Sequence, residues 1–182
     1  MNKKDAVKIA MDNIKKDDKI LKALAGTDVN SKWQKYYDTE PVHRLKNEGR
    51  ELLGEFVVVT EKRDGENVSI WLNGEDLHPV VSSHNQVSAA PEIINRFKAT
   101  PEYAKAVQLL KDETKFEGQF ILYGELLCKV SPTRIERTKK HVHWVLFDIY
   151  DLEQHRYLSY PAIYQKAYHY RIPIVRALDT YV

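Results

Sequence analysis

The residues best suited to chemistry lie in one charged string, TEKRDGEN, at positions 60–67. Lys62 follows the apolar run EFVVV and precedes Asp64-Gly65, a pair that favours a tight turn. An amine that has lost its proton can attack phosphorus and form a phosphoramidate, provided that burial or nearby positive charge favours its uncharged form. Gly65 would let the backbone approach a bound phosphate closely. Taken alone, the string is also compatible with a solvated lysine beside a turn.

Two later strings place polar or aromatic side chains on stretches with the composition of β-strands. YGELL, at positions 123–127, carries Glu125, and LFDIY, at positions 146–150, carries Phe147 and Asp148. Each has an ordinary alternative: an ion-paired carboxylate at a strand end for Glu125, and core packing for Phe147.

Together the three strings resemble the motifs of covalent nucleotidyltransferases, the superfamily of ATP-dependent DNA ligases, RNA ligases and mRNA capping enzymes. Lys62-Arg63-Asp64-Gly65 matches the K-x-D-G signature, and a Gly-Glu motif and an aromatic-Asp motif follow in the family's order. The wider string TEKRDGEN is most similar to the RNA ligase branch. The resemblance covers about residues 55–150 and implies an α+β, ATP-grasp-like adenylation domain with antiparallel sheets and packed helices.

The resemblance also implies a role for each matching residue. Lys62 would be the nucleophile that carries AMP, and Glu125 would accept hydrogen bonds from the ribose hydroxyls. Phe147 would stack on adenine, the Glu61 backbone would read the base edge, and Asn67 would contact the sugar or the phosphates.

The implied reaction is that of an ATP-dependent polynucleotide ligase using Mg²⁺. AMP would pass from ATP to the lysine, then to a 5′-phosphate on a nucleic acid, RNA more than DNA, before a 3′-hydroxyl displaces it. A DNA ligase or a capping-type guanylyltransferase remains an alternative within enzymes. A non-catalytic nucleic-acid-binding module with the same fold is the alternative from another class.

The chain departs from the family pattern in two places. Where RNA ligases carry a Ser-Arg pair, this sequence has SSHNQ, with Ser82, Ser83 and His84, and an imidazole does not replace a guanidinium fork. The later Glu-Gly and K-x-K motifs are not found before Val182, and Lys166 falls in a predicted helix. We therefore expect a domain incomplete at its C-terminal end, weak or inactive alone, and we assign no metal ligands.

A basic segment at 129–140, KVSPTRIERTKK, follows the Gly-Glu motif. Its cationic side chains could hold a polynucleotide backbone, although a solvated loop fits the composition as well. They are Lys129, Arg134, Arg137, Lys139 and Lys140.

Periodicity and turn residues predict the elements that position these strings. We expect an N-terminal helical extension at 1–53 and a nucleotidyltransferase domain at 54–182. The expected strands are 55–61, 67–72 and 77–83, forming a three-stranded meander, then 119–127, 141–150 and a last strand opening in IPIVRAL. The expected helices are a pair within 91–111 that breaks at Thr100-Pro101, and one from Ser159 to about Tyr170.

Two groups of aromatic residues fall outside the motifs. The helical spacing of Tyr160, Tyr164 and Tyr168 predicts core or interface packing. Trp33, Tyr36 and Tyr37 form a second cluster to which the sequence assigns no purpose.

The composition excludes several classes of protein. The 182 residues hold 28 basic and 26 acidic side chains, so the net charge of +2 does not indicate a general nucleic-acid binder. A single cysteine, Cys128, precludes an intramolecular disulfide and fits a reducing compartment. The charged N-terminus and the lack of a long apolar run predict a soluble, cytoplasmic protein with no membrane partner.

Overall fold

A computed structural model describes residues 33–39, 41, 44, 50, 54–73, 77–114, 119–127 and 142–181. The chain divides into two compact units, Met1–Trp33 and Gln34–Val182. Most of the predicted helical extension at 1–53 lies outside the described residues. The fold described below is that of the second unit.

Two antiparallel sheets form the framework of this unit. The larger has five strands: β2 (Glu66–Asn73), β3 (His78–Ser83), β4 (Phe120–Leu127), β5 (His143–Asp151) and β6 (Arg156–Tyr157), in the order β3-β2-β4-β5-β6. The smaller pairs β1 (Val57–Thr60) with β7 (Ala177–Tyr181), with Val57 opposite Tyr181. Antiparallel sheets with packed helices confirm the predicted α+β class.

The predicted meander of the first three strands is wrong. The β2–β3 hairpin forms, with Val68 opposite Ser83, but β1 joins the other sheet. Residues 61–65 are not in a strand, and they carry the chain from one sheet to the other. Gly65 therefore does not close a hairpin. It packs so tightly beneath β4 that a Cβ there would lie 2.5 Å from the carbonyl oxygen of Leu126.

Three helices are described, α1 (Pro91–Lys98), α2 (Pro101–Glu113) and α3 (Tyr160–His169). The predicted break at Thr100-Pro101 is confirmed, since proline fits the first turn of a helix but not its interior. Thr100 occupies the N-cap position without capping, because its hydroxyl donates instead to the carbonyl oxygen of Phe97 at 2.7 Å.

The main core lies between the helices and one face of the larger sheet. Trp144 is fully buried there, and its indole Nε1 donates to the carbonyl oxygen of Val68 at 3.1 Å. Gly124 makes room for that indole, because a Cβ at Gly124 would lie 2.2 Å from the ring. The core also holds side chains from all three helices and three strands: Ile70, Phe97, Leu109, Leu122, Leu146 and Ala167.

The last part of the chain differs from the sequence expectation in two ways. Of the IPIVRAL piece, Ile174 makes an isolated bridge to Leu146, and the strand itself begins only at Ala177. Tyr164 and Tyr168 are 51% and 76% exposed, so neither packs in the core.

None of the helices described above is long and apolar enough to cross a lipid bilayer.

Candidate active site

A β-bulge in β5 turns two consecutive side chains toward one cavity. Leu146 pairs with Gly124 and Asp148 pairs with Tyr123, so Phe147 is an extra residue in the ladder. Regular alternation would place neighbouring side chains on opposite faces of the sheet. Because a bulge opposes two residues to one, both Phe147 and Asp148 line the cavity.

The cavity, of about 590 Å³, brings together the five residues to which the family resemblance assigned roles. Its volume falls within the range of small-molecule sites. Residues from the β1–β2 connection, β2, β4 and β5 line it: Glu61, Lys62, Asn67, Glu125 and Phe147. The structure thus places them around one space, and their individual roles stay predictions.

Lys62 lies in the connection between the two sheets and is exposed. The connection is anchored next to it, since the backbone N–H of Glu61 donates to the carbonyl oxygen of Arg176 at 2.9 Å. The Glu61 side chain accepts from Arg63 Nη1, also at 2.9 Å. The exposure means that the protein alone does not desolvate the Lys62 amine in this structure.

Glu125 ties the lysine segment to the larger sheet. Its Oε1 accepts a hydrogen bond of 2.6 Å from the backbone N–H of Gly65, three residues after Lys62. Asn67 lies directly opposite Glu125 in the β2–β4 ladder. A carboxylate has about four acceptor positions, so it can accept several hydrogen bonds at once.

The carboxyl of Asp148 is partly buried at the cavity wall, and its loss of hydration raises its pKa to about 6. Two hydrogen bonds act in the opposite direction because they favour the ionised form. The backbone N–H of Ile149 donates to Oδ1 at 2.9 Å, and the hydroxyl of Tyr36 donates to Oδ2 at 3.2 Å. Burial outweighs both.

Residues 36–39 form a wall of the cavity that sequence reasoning missed. The Tyr36 ring lies 4.9 Å from the Phe147 ring and 5.1 Å from the Tyr123 ring, measured between centroids. The Tyr123 hydroxyl donates to the carbonyl oxygen of Gln34, which fixes the segment at a second point. The aromatic string WQKYYD was the only signal, and nothing in its spacing indicated a partner about 110 residues away.

His84, which stands where an arginine was expected, does reach the cavity. Its Nε2 lies 2.8 Å from Oδ1 of Asp38, and this hydrogen bond is the main reason that the pKa of Asp38 lies below its usual value. Ser82 serves the fold instead, since its buried hydroxyl accepts from Trp71 Nε1 at 3.1 Å and donates to the Val87 carbonyl.

The remaining candidates do not line the cavity or lie outside the described residues. Lys166 is on α3 and forms an ion pair of 2.7 Å with Glu113. Among the residues that the structure describes, no three His, Cys, Asp or Glu side chains group as a metal site. Cys128 and the basic residues of the 129–140 segment fall outside the described ranges: Lys129, Arg134, Arg137, Lys139 and Lys140.

Comparisons with known proteins agree with this geometry. The sequence model of the RNA ligase family matches residues 55–182. No curated protein matches the chain. The family match confirms the resemblance inferred from the three sequence strings.

The solved structures with the same fold include several of the Naegleria gruberi RNA ligase. The complex with PPi superposes with a TM-score of 0.62 at 23% identity, over 82% of this chain and 43% of that one. An apo aspartate-to-alanine mutant gives a TM-score of 0.64 at 22% identity, over 81% and 43%. A lysine-to-alanine mutant with ATP and Mn gives 0.61 at 22%, over 80% and 43%. This chain therefore spans less than half the length of those structures.

Proposed function

Because this chain belongs to the RNA ligase family, we propose that it contains the adenylation domain of an ATP-dependent RNA ligase, with Lys62 as the nucleophile. One observation carries the proposal. Lys62, Glu125 and Phe147 come from three separate parts of the sequence and line the same cavity. A turn lysine, an ion-paired glutamate and a core phenylalanine would have no reason to converge in this way.

In the first step, the Lys62 Nζ attacks the α-phosphorus of ATP. A P–N bond forms, the P–O bond to the β-phosphate breaks, and pyrophosphate leaves. The attacking amine must first lose its proton, and the exposure of Lys62 gives that proton direct access to water. AMP then passes to a 5′-phosphate of RNA, and a 3′-hydroxyl displaces it as the strands join.

The other cavity residues bind and orient the nucleotide. Phe147 offers a ring for the adenine, and such stacking contributes about 1–3 kcal/mol per base in nucleic-acid complexes. Glu125 accepts hydrogen bonds from the ribose hydroxyls. Asn67, opposite Glu125, contacts the sugar or the phosphates, and the Glu61 backbone lies along the base edge.

A divalent cation, Mg²⁺, would neutralise the triphosphate and the leaving pyrophosphate when bound. The described residues offer no cluster of three ligands for it, so we assign it no protein ligand. The solved relatives include one with ATP and Mn, which supports the use of a nucleotide with a divalent metal by this chain also.

This chain spans less than half the length of its solved relatives. The joining reaction as a whole and RNA as its substrate are therefore also part of what we propose. The basic segment with Lys129, Arg134, Arg137, Lys139 and Lys140 would contact the polynucleotide backbone. We further propose an accessory helical region at 1–53, the adenylation domain at 54–182 and a cytoplasmic location.

Labelling with α-labelled ATP or GTP in the presence of Mg²⁺ tests the reaction. We expect weak covalent label from ATP, no label on Lys62→Ala, and label equal to that of the unmodified protein on Lys98→Ala, which removes an exposed lysine of α1. Label from GTP in place of ATP would indicate a guanylyltransferase. Nucleic-acid binding with no label from either nucleotide would indicate a non-catalytic binding module.

A further inference from the structure

Helix α3 carries three tyrosines in one row, at intervals of four residues. Tyr160 lines the cavity, and its hydroxyl donates to the Val175 carbonyl at 3.0 Å and accepts from the Ala177 N–H at 3.1 Å. Tyr164 and Tyr168 lie one and two turns further and are 51% and 76% exposed. A row of tyrosines thus leads from the cavity to solvent.

The two exposed rings already form a stack. Their centroids are 6.3 Å apart and their planes differ by 18°. Flat aromatic side chains with free faces are the groups on which bases of single-stranded nucleic acid stack, and every base can use them. Core packing does not account for them, because both rings are largely in water.

The chain segment that carries this row is basic, and Asp112 and Glu113 of α2 contact its Tyr170 and Lys166. Residues 154–178 contain Arg156, Lys166, Arg171 and Arg176 and no aspartate or glutamate. The ammonium of Lys166 is engaged by Glu113 at 2.7 Å, so it adds little. Arg171 and Arg176 are exposed, and Lys105 Nζ lies 2.8 Å from the carbonyl oxygen of Arg171. These cations would attract phosphate groups.

We infer that Tyr164 and Tyr168 form a stacking platform for a single-stranded polynucleotide, which we call the α3 platform. This inference rests on the proposed ligase function, because it places the strand whose end reacts in the cavity. Tyr160 marks the cavity end of the platform, and Arg171 follows its other end. The bases would lie on the tyrosine rings, and the phosphates would face the arginines.

Fluorescence anisotropy with an end-labelled single-stranded RNA oligonucleotide tests the platform. We expect the double variant Tyr164→Ala/Tyr168→Ala to bind about 10- to 100-fold more weakly, since each stacked base contributes about 1 kcal/mol or more. Tyr164→Phe/Tyr168→Phe keeps the rings and should bind within about twofold of the unmodified protein. Phe56→Ala, which removes another exposed ring, is the matched control and should bind normally.

Covalent labelling with ATP on the same samples separates this inference from the proposed function. Equal label on the unmodified protein and the double alanine variant, with weaker RNA binding by the variant, is the expected result. Absence of label from all samples would contradict the ligase proposal. The anisotropy measurements would still show whether the α3 platform binds RNA. Unchanged RNA binding by the double alanine variant would overturn the platform. An equal loss with the phenylalanine variant would overturn stacking as its basis.

Discussion

At the cavity wall, loss of hydration changes the pH at which Asp148 ionises. The pKa of its carboxyl is raised to about 6, although the Ile149 N–H and the Tyr36 hydroxyl both donate to it. The folded protein therefore keeps this carboxyl protonated to a higher pH than the unfolded chain does. Ionisation then costs the folded state free energy as the pH rises through about 4 to 6.

Asp148→Asn should consequently stabilise the protein at pH 8 by on the order of 1–2 kcal/mol, and by close to nothing at pH 4. Urea unfolding at the two pH values measures the difference. Asp38→Asn is the control, because the pKa of Asp38 is lowered by its bond to His84 and its substitution brings no such gain. An equal effect of Asp148→Asn at both pH values would contradict the assignment.

Tyr36 acts at the same scale through its ring and its hydroxyl. Tyr36→Ala removes the ring that packs on Phe147, so we expect ATP to bind about 5- to 10-fold more weakly. Tyr36→Phe keeps the ring and should bind ATP within about twofold of the unmodified protein. Calorimetric titration with ATP measures both, and Tyr168→Ala serves as a tyrosine control away from the cavity. Equal binding by Tyr36→Ala and the unmodified protein would remove Tyr36 from the site.

At the scale of elements, the connection between β1 and β2 positions the lysine. Gly65 lets this connection lie against β4, and its N–H reaches Glu125 at 2.6 Å. A Cβ at Gly65 would meet the Leu126 carbonyl oxygen at 2.5 Å and the Glu125 Cγ at 2.9 Å. Either the backbone or the glutamate must then move, so the lysine segment and the Glu125 carboxylate would separate.

Gly65→Ala should therefore destabilise the protein by about 1–3 kcal/mol, as overpacking usually does, and reduce ATP labelling strongly. Gly54→Ala is the comparison, because a Cβ there meets no atom within 4 Å and only the positive φ of 85° opposes it. The Gly54→Ala variant should still be labelled by ATP. If Gly65→Ala labels as well as Gly54→Ala, the close contact with β4 does not position Lys62.

The sequence predicts features that depend on neighbouring residues and misses those that depend on contacts between distant residues. The Gly-Glu string and the break at Thr100-Pro101 are local patterns, and the structure places them as expected. The lysine string lies in a connection between two sheets and not in the predicted hairpin turn. The pairing of β1 with β7 joins residues about 120 positions apart, so no local pattern indicated it. The bulge at Phe147 is equally hidden, because it arises from the ladder between β4 and β5 and not from either strand alone.

At the scale of the whole molecule, the nucleotide and the polynucleotide are expected to bind different parts of the chain. The cavity would hold ATP through uncharged and acidic groups as well as Lys62 and Arg63, while the 129–140 segment and the α3 platform would hold the strand. Substitutions in these regions should therefore affect separate steps.

Lys139→Gln/Lys140→Gln should lower the salt dependence of RNA binding by about one to two units of slope, because fewer counterions are released. ATP labelling should stay unchanged. Lys98→Gln/Lys111→Gln removes two lysines of the helices and should leave the salt slope as it was. An unchanged salt slope in the Lys139→Gln/Lys140→Gln variant would exclude these lysines from the RNA contact.

The attachment site of AMP tests the central claim most directly. After incubation with ATP and Mg²⁺, proteolysis and tandem mass spectrometry should find one AMP on the peptide that contains Lys62, linked through Nζ of that residue. AMP on any other lysine, or none on a protein that has bound ATP, would contradict the account.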